Sequence, residues 1–403
     1  MFEAKLEPVF RDPATSANSA PLSWSASKEP RPSTISETVE ALVRRVSWFF
    51  ARIWWYNQRR LETYRSIPLE KHSFTTLQQR LSRAGFKKDF VRSAVLPDWW
   101  DDSCAQQPDL LPEVEIRVSR FLGRPLSVVR DAGAALTPPS YSSAQLRRVR
   151  DIDRDRLAPA IHSALRIGEA VVRSLRSSVP RPVTPPPDGA VWRERVERAR
   201  AAVTLDDILG DLWHRGIPVV PIDILPTPSF QGISCIVEDR PVILLGHKLD
   251  EPGRVAFLVA HETGHVANGD CALDQPVVDE DEEVADDSEI ERVADLYATR
   301  VLVGSDVAPQ VASANFRQLA NSAVQIEGET GADASIIIFS WAWRTGDYVK
   351  ASMAVKALYR AVGARQQLRQ HFDRHVDLDA ATESDRALLR CVYGEPERDA
   401  AAD

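Results

Sequence analysis

Residues 250–269, DEPGRVAFLVAHETGHVANG, decide how the rest of the chain is read. Val255, Leu258, Val259 and Val266 recur at helical spacing. Asp250 stands where an N-cap belongs, Pro252 lies just inside, and Asn268 with Gly269 forms a natural stop. On this predicted helix lie His261, Glu262, Thr263, Gly264 and His265. Four residues advance an α-helix by about 400°, which leaves the two imidazoles about 40° apart on one face and roughly one turn from each other. Such a pair can grip one metal ion. Glu262, projecting beside it, can take a proton from water while the ion withdraws charge. The competing reading is a buried helix whose histidines bond to backbone or to carboxylates.

The flanks supply the rest of a domain. Residues 192–212 are patterned as a helix, and residues 216–225 read as a strand entering from a glycine turn. Residues 232–237 and 241–246, separated by Glu238, Asp239 and Arg240, read as a hairpin. A metal site needs a third ligand, and 26 positions after His265 stands Glu291, followed by Ala294, Asp295, Tyr297 and Ala298. Glu291 and Asp295 share a helical face, so Glu291 can complete a set of two histidines and one glutamate while Asp295 orients a ligand imidazole. Ser288 and Glu291 also match a capping box, in which Glu291 merely holds the helix start. Capping by Asp286 or Asp287 leaves Glu291 free, and Glu289 is the first substitute ligand.

The pairing of His261-Glu262-x-x-His265 with Glu291-x-x-Ala294-Asp295-x-Tyr297-Ala298 resembles the ImmA/IrrE metallopeptidases, a gluzincin-type group. The resemblance covers roughly residues 190–305. It implies an α+β fold: a mostly helical chain with a zincin-like catalytic domain, built from a small β-sheet and the histidine-bearing helix, and a helical amino-terminal module. The implied activity is that of a zinc endopeptidase, with one Zn2+ per chain, acting on a transcriptional repressor or stress regulator. Carried over residue by residue, His261, His265 and Glu291 hold zinc, Glu262 is the general base that passes its proton to the departing amine, and Asp295 supports a ligand histidine. The resemblance also implies that an extended substrate pairs along an edge strand of the hairpin. Tyr297, about 120° around the helix from Glu291, is expected in the core. His247 is an unsupported candidate for steadying the oxyanion.

Composition bounds these readings. The chain has 403 residues, 44% hydrophobic and 27% charged, enough for two or three globular domains. No apolar run approaches a membrane span and the first twenty residues lack a signal-peptide core, so a cytoplasmic protein without a membrane partner is expected. Cys104, Cys235, Cys271 and Cys391 form no C-x-x-C pair, which argues against a cysteine metal site or a disulfide framework. The net charge of −8 is divided: residues 1–180 hold 28 Lys and Arg against 20 Asp and Glu, and the remainder 22 against 38. A basic front half permits DNA as a partner there.

Five segments are expected: a leader over 1–34, a helical module over 35–135, a helix and Pro-rich linker over 136–190, the metallopeptidase core over 191–305, and a helical subdomain over 306–395. Residues 36–66 are spaced as a long amphipathic helix. Short helices over 75–84, 87–95 and 112–122, bearing Arg80, Arg83, Lys87, Lys88 and Arg92, loosely resemble a degenerate helix-turn-helix. Trp99 and Trp100 are read as core anchors. Residues 177–189 carry five prolines and mark the main boundary. His371 and His375 are expected on the surface, and residues 335–344 in the core. The acidic run from Asp279 to Asp287 reads as a solvated loop. Repelling acidic substrates, contacting the basic front half, and covering the site are the alternatives. If it is a cover, deletion of 277–287 raises peptidase activity. The alternative to an enzyme is a non-catalytic or conditionally active protein- or DNA-binding regulator with a metal-stabilised fold, as in toxin–antitoxin or phage-defence systems.

Overall fold

The computed structural model describes residues 73–138, 145–146, 154–196, 203–246, 249–271, 277–279, 289–304, 311, 313–358 and 363–393. The expected leader, the amphipathic helix over 36–66, His247, Ser288 and the acidic run beyond Asp279 lie outside them. Among the described residues the order opens with α1 (Phe74–Arg83), α2 (Lys88–Ala94), α3 (Leu111–Leu122) and α4 (Leu126–Arg130), then β1 (Gln145–Leu146) and α5 (Arg154–Arg173). Next come α6 (Gly189–Val196), α7 (Leu205–His214), β2 (Val219–Pro221), β3 (Gly232–Val237) and β4 (Arg240–Leu245). They lead to α8 (Pro252–Asn268), β5 (Val277–Asp279) and α9 (Glu289–Leu302). The last helices are α10 (Phe316–Thr330), α11 (Ala334–Thr345), α12 (Tyr348–Ala357), α13 (Ala364–His375) and α14 (Glu383–Tyr393). The architecture is mostly helical with one small sheet, an α+β arrangement as expected. Among the described residues no helix is long and apolar enough to cross a membrane.

The sheet has the order β1-β5-β3-β4-β2, with β2 parallel to β4 and β3 antiparallel to both β4 and β5. Its strands alternate between two apolar layers, as a period of two requires. Val220, Ile233, Cys235, Val237, Val242 and Leu244 belong to one hydrophobic cluster, together with residues of α1, α2, α3, α5 and α14. Val219, Ile243 and Leu245 belong to the other, with residues of α7, α8, α9 and α11. The sheet is therefore covered on both faces, which is why its strands read as nearly continuous apolar runs. Gly168 lets α5 lie close to the sheet, with Leu244 and Val237 side chains in van der Waals reach of the space a Cβ would fill. The β3–β4 turn puts Glu238 and Asp239 at positive φ, 48° and 65°, the left-handed pair that a tight hairpin turn demands.

The proline-rich segment joins the two layers. Val183 N–H donates to the Arg215 carbonyl at 2.9 Å, Arg240 to the Pro180 carbonyl at 3.0 Å, and the Tyr297 hydroxyl to the Pro186 carbonyl at 3.0 Å. The first cluster contains residues on both sides of this segment, so the change in composition there is not a break in the core.

Several side chains fall elsewhere than their sequence neighbourhood suggests. Arg80 turns inward and donates to the carbonyls of Val128, Val129 and Ala134, tying α1 to the turn after α4. Trp100 is buried against Phe74, with ring centroids 5.0 Å apart, but Trp99 is 53% exposed and is corrected from core anchor to surface residue. His371 is buried with Nε2 at 2.8 Å from Asp206, and His375 stacks on Trp213 with ring centroids 4.6 Å apart. Their expected surface placement is corrected: α13 packs against α7, which turns this face of a highly charged helix inward.

Candidate metal centre

Every residue from 255 to 266 of α8 is buried, as in a helix surrounded by protein on all sides. Fully burying Val255, Leu258 and Val259 contributes roughly 1.5–3 kcal/mol each, which helps to offset the cost of the polar residues carried with them. The helix opens without a side-chain cap. Glu251 occupies the N-cap position, while Asp250 accepts from the Arg365 backbone N–H at 3.1 Å and so ties α8 to α13. Two glycines let other helices approach. Gly253 lies against the Ser335 backbone of α11, and at Gly264 a Cβ would sit 3.1 Å from Ala294 Cα and 3.3 Å from Tyr297 Cβ. Gly264 against Ala294 is what brings α9 down onto α8.

That approach carries Glu291 to the histidines. His261 Nε2 lies 3.1 Å from His265 Nε2 and 3.2 Å from Glu291 Oε2, and His265 Nε2 lies 3.6 Å from Glu291 Oε1. All three residues are buried, and one ligand atom from each falls within 4.8 Å of the others. The corners of a tetrahedron built on metal–ligand bonds of roughly 2.0–2.1 Å are about 3.3 Å apart, so the spacing suits a four-coordinate ion. The donor set of two imidazoles and one carboxylate could hold a divalent metal ion.

The other ring nitrogens are each held by a carboxylate. His261 Nδ1 is 2.9 Å from Asp295 Oδ1, and His265 Nδ1 is 2.9 Å from Asp270 Oδ2. With Nδ1–H donating to a carboxylate, the neutral form of each ring directs its Nε2 lone pair at the shared point. The structure thus brings Asp295 to the position expected for it. Asp270 is new. Gly269 ends α8 in the left-handed conformation, φ 75°, and the turn sends the Asp270 N–H back to the His265 carbonyl at 3.0 Å, with its carboxylate on the same residue's ring. The signal in the sequence was an acidic residue directly after a glycine stop, one turn beyond a ligand histidine.

Glu262 is fully buried on the sheet side of α8. Its carboxylate occupies the space that a side chain at Gly232 would need, so β3 begins against it. Glu289 is exposed and ion-paired to Arg292, with Oε1 2.6 Å from Nη2, which removes it as a substitute ligand. Tyr297 is buried and stacked with Trp192 at 6.0 Å, as expected for a core residue. Trp343, at the end of α11, stands 5.3 Å from the His261 ring and walls one side of the site.

The electrostatics favour positive charge at the centre. Burial opposes a proton on His265, yet Asp270 and Glu291 outweigh it and hold its pKa above the ordinary imidazole value. Burial likewise opposes the Glu291 charge, but hydrogen bonds from His261 and His265 hold its carboxyl well below the usual range. Cys271 is different: burial pushes its thiol up to about 12, with Glu262 and Asp270 adding to the shift.

No protein-family model matches the chain, and no curated protein matches it.

Proposed function

We propose that this chain is a zinc-dependent endopeptidase of the ImmA/IrrE kind, hydrolysing peptide bonds in a regulatory protein. The observation that carries the reading is the convergence of His261 Nε2, His265 Nε2 and a Glu291 oxygen, each imidazole steadied from behind by its own aspartate, with the Glu262 carboxylate buried next to them. A metal-stabilised structural site needs the three donors but has no use for a fourth, non-ligating carboxylate in this position. Structural zinc sites also take four protein ligands, whereas three leave one position for water or substrate.

His261, His265 and Glu291 would hold the ion, one per chain. Bound there, a zinc ion supplies Lewis acidity to water and to a carbonyl oxygen. Glu262 accepts the proton released from water and delivers it to the departing amine, so no covalent acyl intermediate is required. Asp270 and Asp295 fix the imidazole tautomers. Trp343 and the surrounding apolar residues limit access of bulk water. The stretch of β3 that begins at Gly232 beside Glu262, paired with β5 in the structure, is the backbone on which an extended polypeptide would pair. Transcriptional repressors and stress regulators are the substrate class that the family likeness favours, with the basic amino-terminal half as the region to select partner or DNA.

The test is metal analysis and cleavage of candidate repressors by wild type and Glu262→Gln. The variant is expected to keep its zinc and to lose hydrolysis by on the order of 10²–10⁴-fold. Retained cleavage removes Glu262 from the mechanism. Inactivity of both proteins with zinc in place favours the regulator.

A further inference from the structure

The site reading leaves β5 unexplained. This strand pairs antiparallel with β3, setting Asp279 opposite Gly232, Val278 opposite Ile233 and Val277 opposite Ser234. Gly232 is also the residue whose missing side chain makes room for the Glu262 carboxylate. The chain's own backbone therefore runs along the stretch of β3 nearest the proposed general base. A substrate paired to that stretch and β5 require the same row of β3 donors and acceptors.

We propose that β5 is a built-in competitor for the substrate edge of β3, holding the enzyme in a self-inhibited state until a polypeptide displaces it. The inference rests on the peptidase reading of the site. Three features suit an exchangeable strand. β5 is three residues long, and each strand hydrogen bond contributes little net stability against water. On its other edge it meets only the two-residue β1, with Val277 opposite Gln145 and Val278 opposite Leu146. In sequence it also leads directly into the run from Asp279 to Asp287, seven acidic residues in nine. A block of like charges repels itself and favours solvation over packing, which weighs against a permanent strand. The substrate that fits is an extended segment carrying less negative charge than this one.

Displacement is read by binding, in full-length zinc-loaded protein carrying Glu262→Gln so that the probe is not consumed. The probe is a fluorescein-labelled peptide copying residues 274–282 with Asn or Gln in place of its five acidic residues. Successive amides of a strand point to opposite edges, so Val277→Pro together with Val278→Pro removes whichever bond β5 gives to β3. The double variant is expected to bind the probe at least about tenfold more tightly than the parent, because the edge is no longer occupied for most of the time. Hydrogen exchange at amides 232–234 is expected to quicken in the variant and to slow again when the probe is added. A second variant, Val277→Gly with Val278→Gly and Asp279→Gly, covers the case in which the prolines disturb folding. Equal affinity in parent and variants, or protection by the probe at some other strand, overturns the proposal. Absence of hydrolysis by wild type and also by a Val277→Pro, Val278→Pro variant that retains Glu262 would end the peptidase reading without altering either binding measurement.

Discussion

Asp270 and Asp295 show how a ligand histidine is made fit for its task. An imidazole in water samples both tautomers and many ring orientations, and a carboxylate 2.9 Å from Nδ1 selects the one that leaves Nε2 free to bind an ion. Asp270→Ala is expected to weaken zinc affinity by about 10–100-fold, read by competition with a chromophoric chelator, while leaving the helix intact. Unchanged affinity would mean that burial alone orients His265. The two aspartates differ in how visible they are in the sequence. Asp295 lies four residues after Glu291 on one helix, and a periodic pattern reveals it. Asp270 faces His265 only because Gly269 reverses the chain, a tertiary consequence of one backbone dihedral that no helical spacing encodes. His371 and His375 show the limit from the other side: their spacing was legible, but whether that face met water or α7 was not, since a strongly charged helix gives little indication of which face is covered.

At the scale of elements, the site depends on how closely α8 and α9 approach. Gly264 and Ala294 meet where any larger pair would hold the axes apart, and Glu291 is carried one turn before that contact. Gly264→Val places two methyl groups into space already occupied by Ala294 and Tyr297. The expected cost is about 1–3 kcal/mol of stability, seen as a lower urea midpoint, together with weakened zinc binding as Glu291 is pushed from the imidazoles. A loss of stability with unaltered zinc affinity would show that α9 can shift without moving its glutamate. The β3–β4 hairpin and most helices were legible because turn residues and apolar periods are local. The strand expected over 216–225 shrinks to Val219–Pro221, since from Asp223 the chain turns to α14, the Asp223 and Ile224 amides both donating to the Cys391 carbonyl. β5 was invisible for a related reason: three residues beside an acidic run have no period to read, and pairing with β3 and β1 makes a strand of them.

For the whole molecule, the two apolar layers give the sheet different duties. One layer carries the metal centre, and the other buries the front helices α1, α2, α3 and α5 against the opposite face, so the front half braces the strand that bears on Glu262. That bracing layer has its own acid sensitivity. His162 of α5 is buried, its Nε2 2.8 Å from the Phe121 carbonyl and its ring edge-on to Phe121 at 5.2 Å. Burial lowers its pKa from 6.5 to about 4, so it folds as the neutral imidazole. Between these values the unfolded chain binds the proton and the folded one does not. The contribution is therefore complete above pH 6.5 and falls away as the pH drops toward 4. Between pH 8 and pH 5 the loss should be about 2 kcal/mol, measurable by urea unfolding of the metal-free protein, in which the metal ligands' own titration is common to all variants. His162→Gln, which can still donate to the Phe121 carbonyl but cannot take up a proton, is expected to be less stable than wild type at pH 8 and to lose about 2 kcal/mol less on acidification. Equal pH slopes for the two proteins would place the acid sensitivity elsewhere than in this layer.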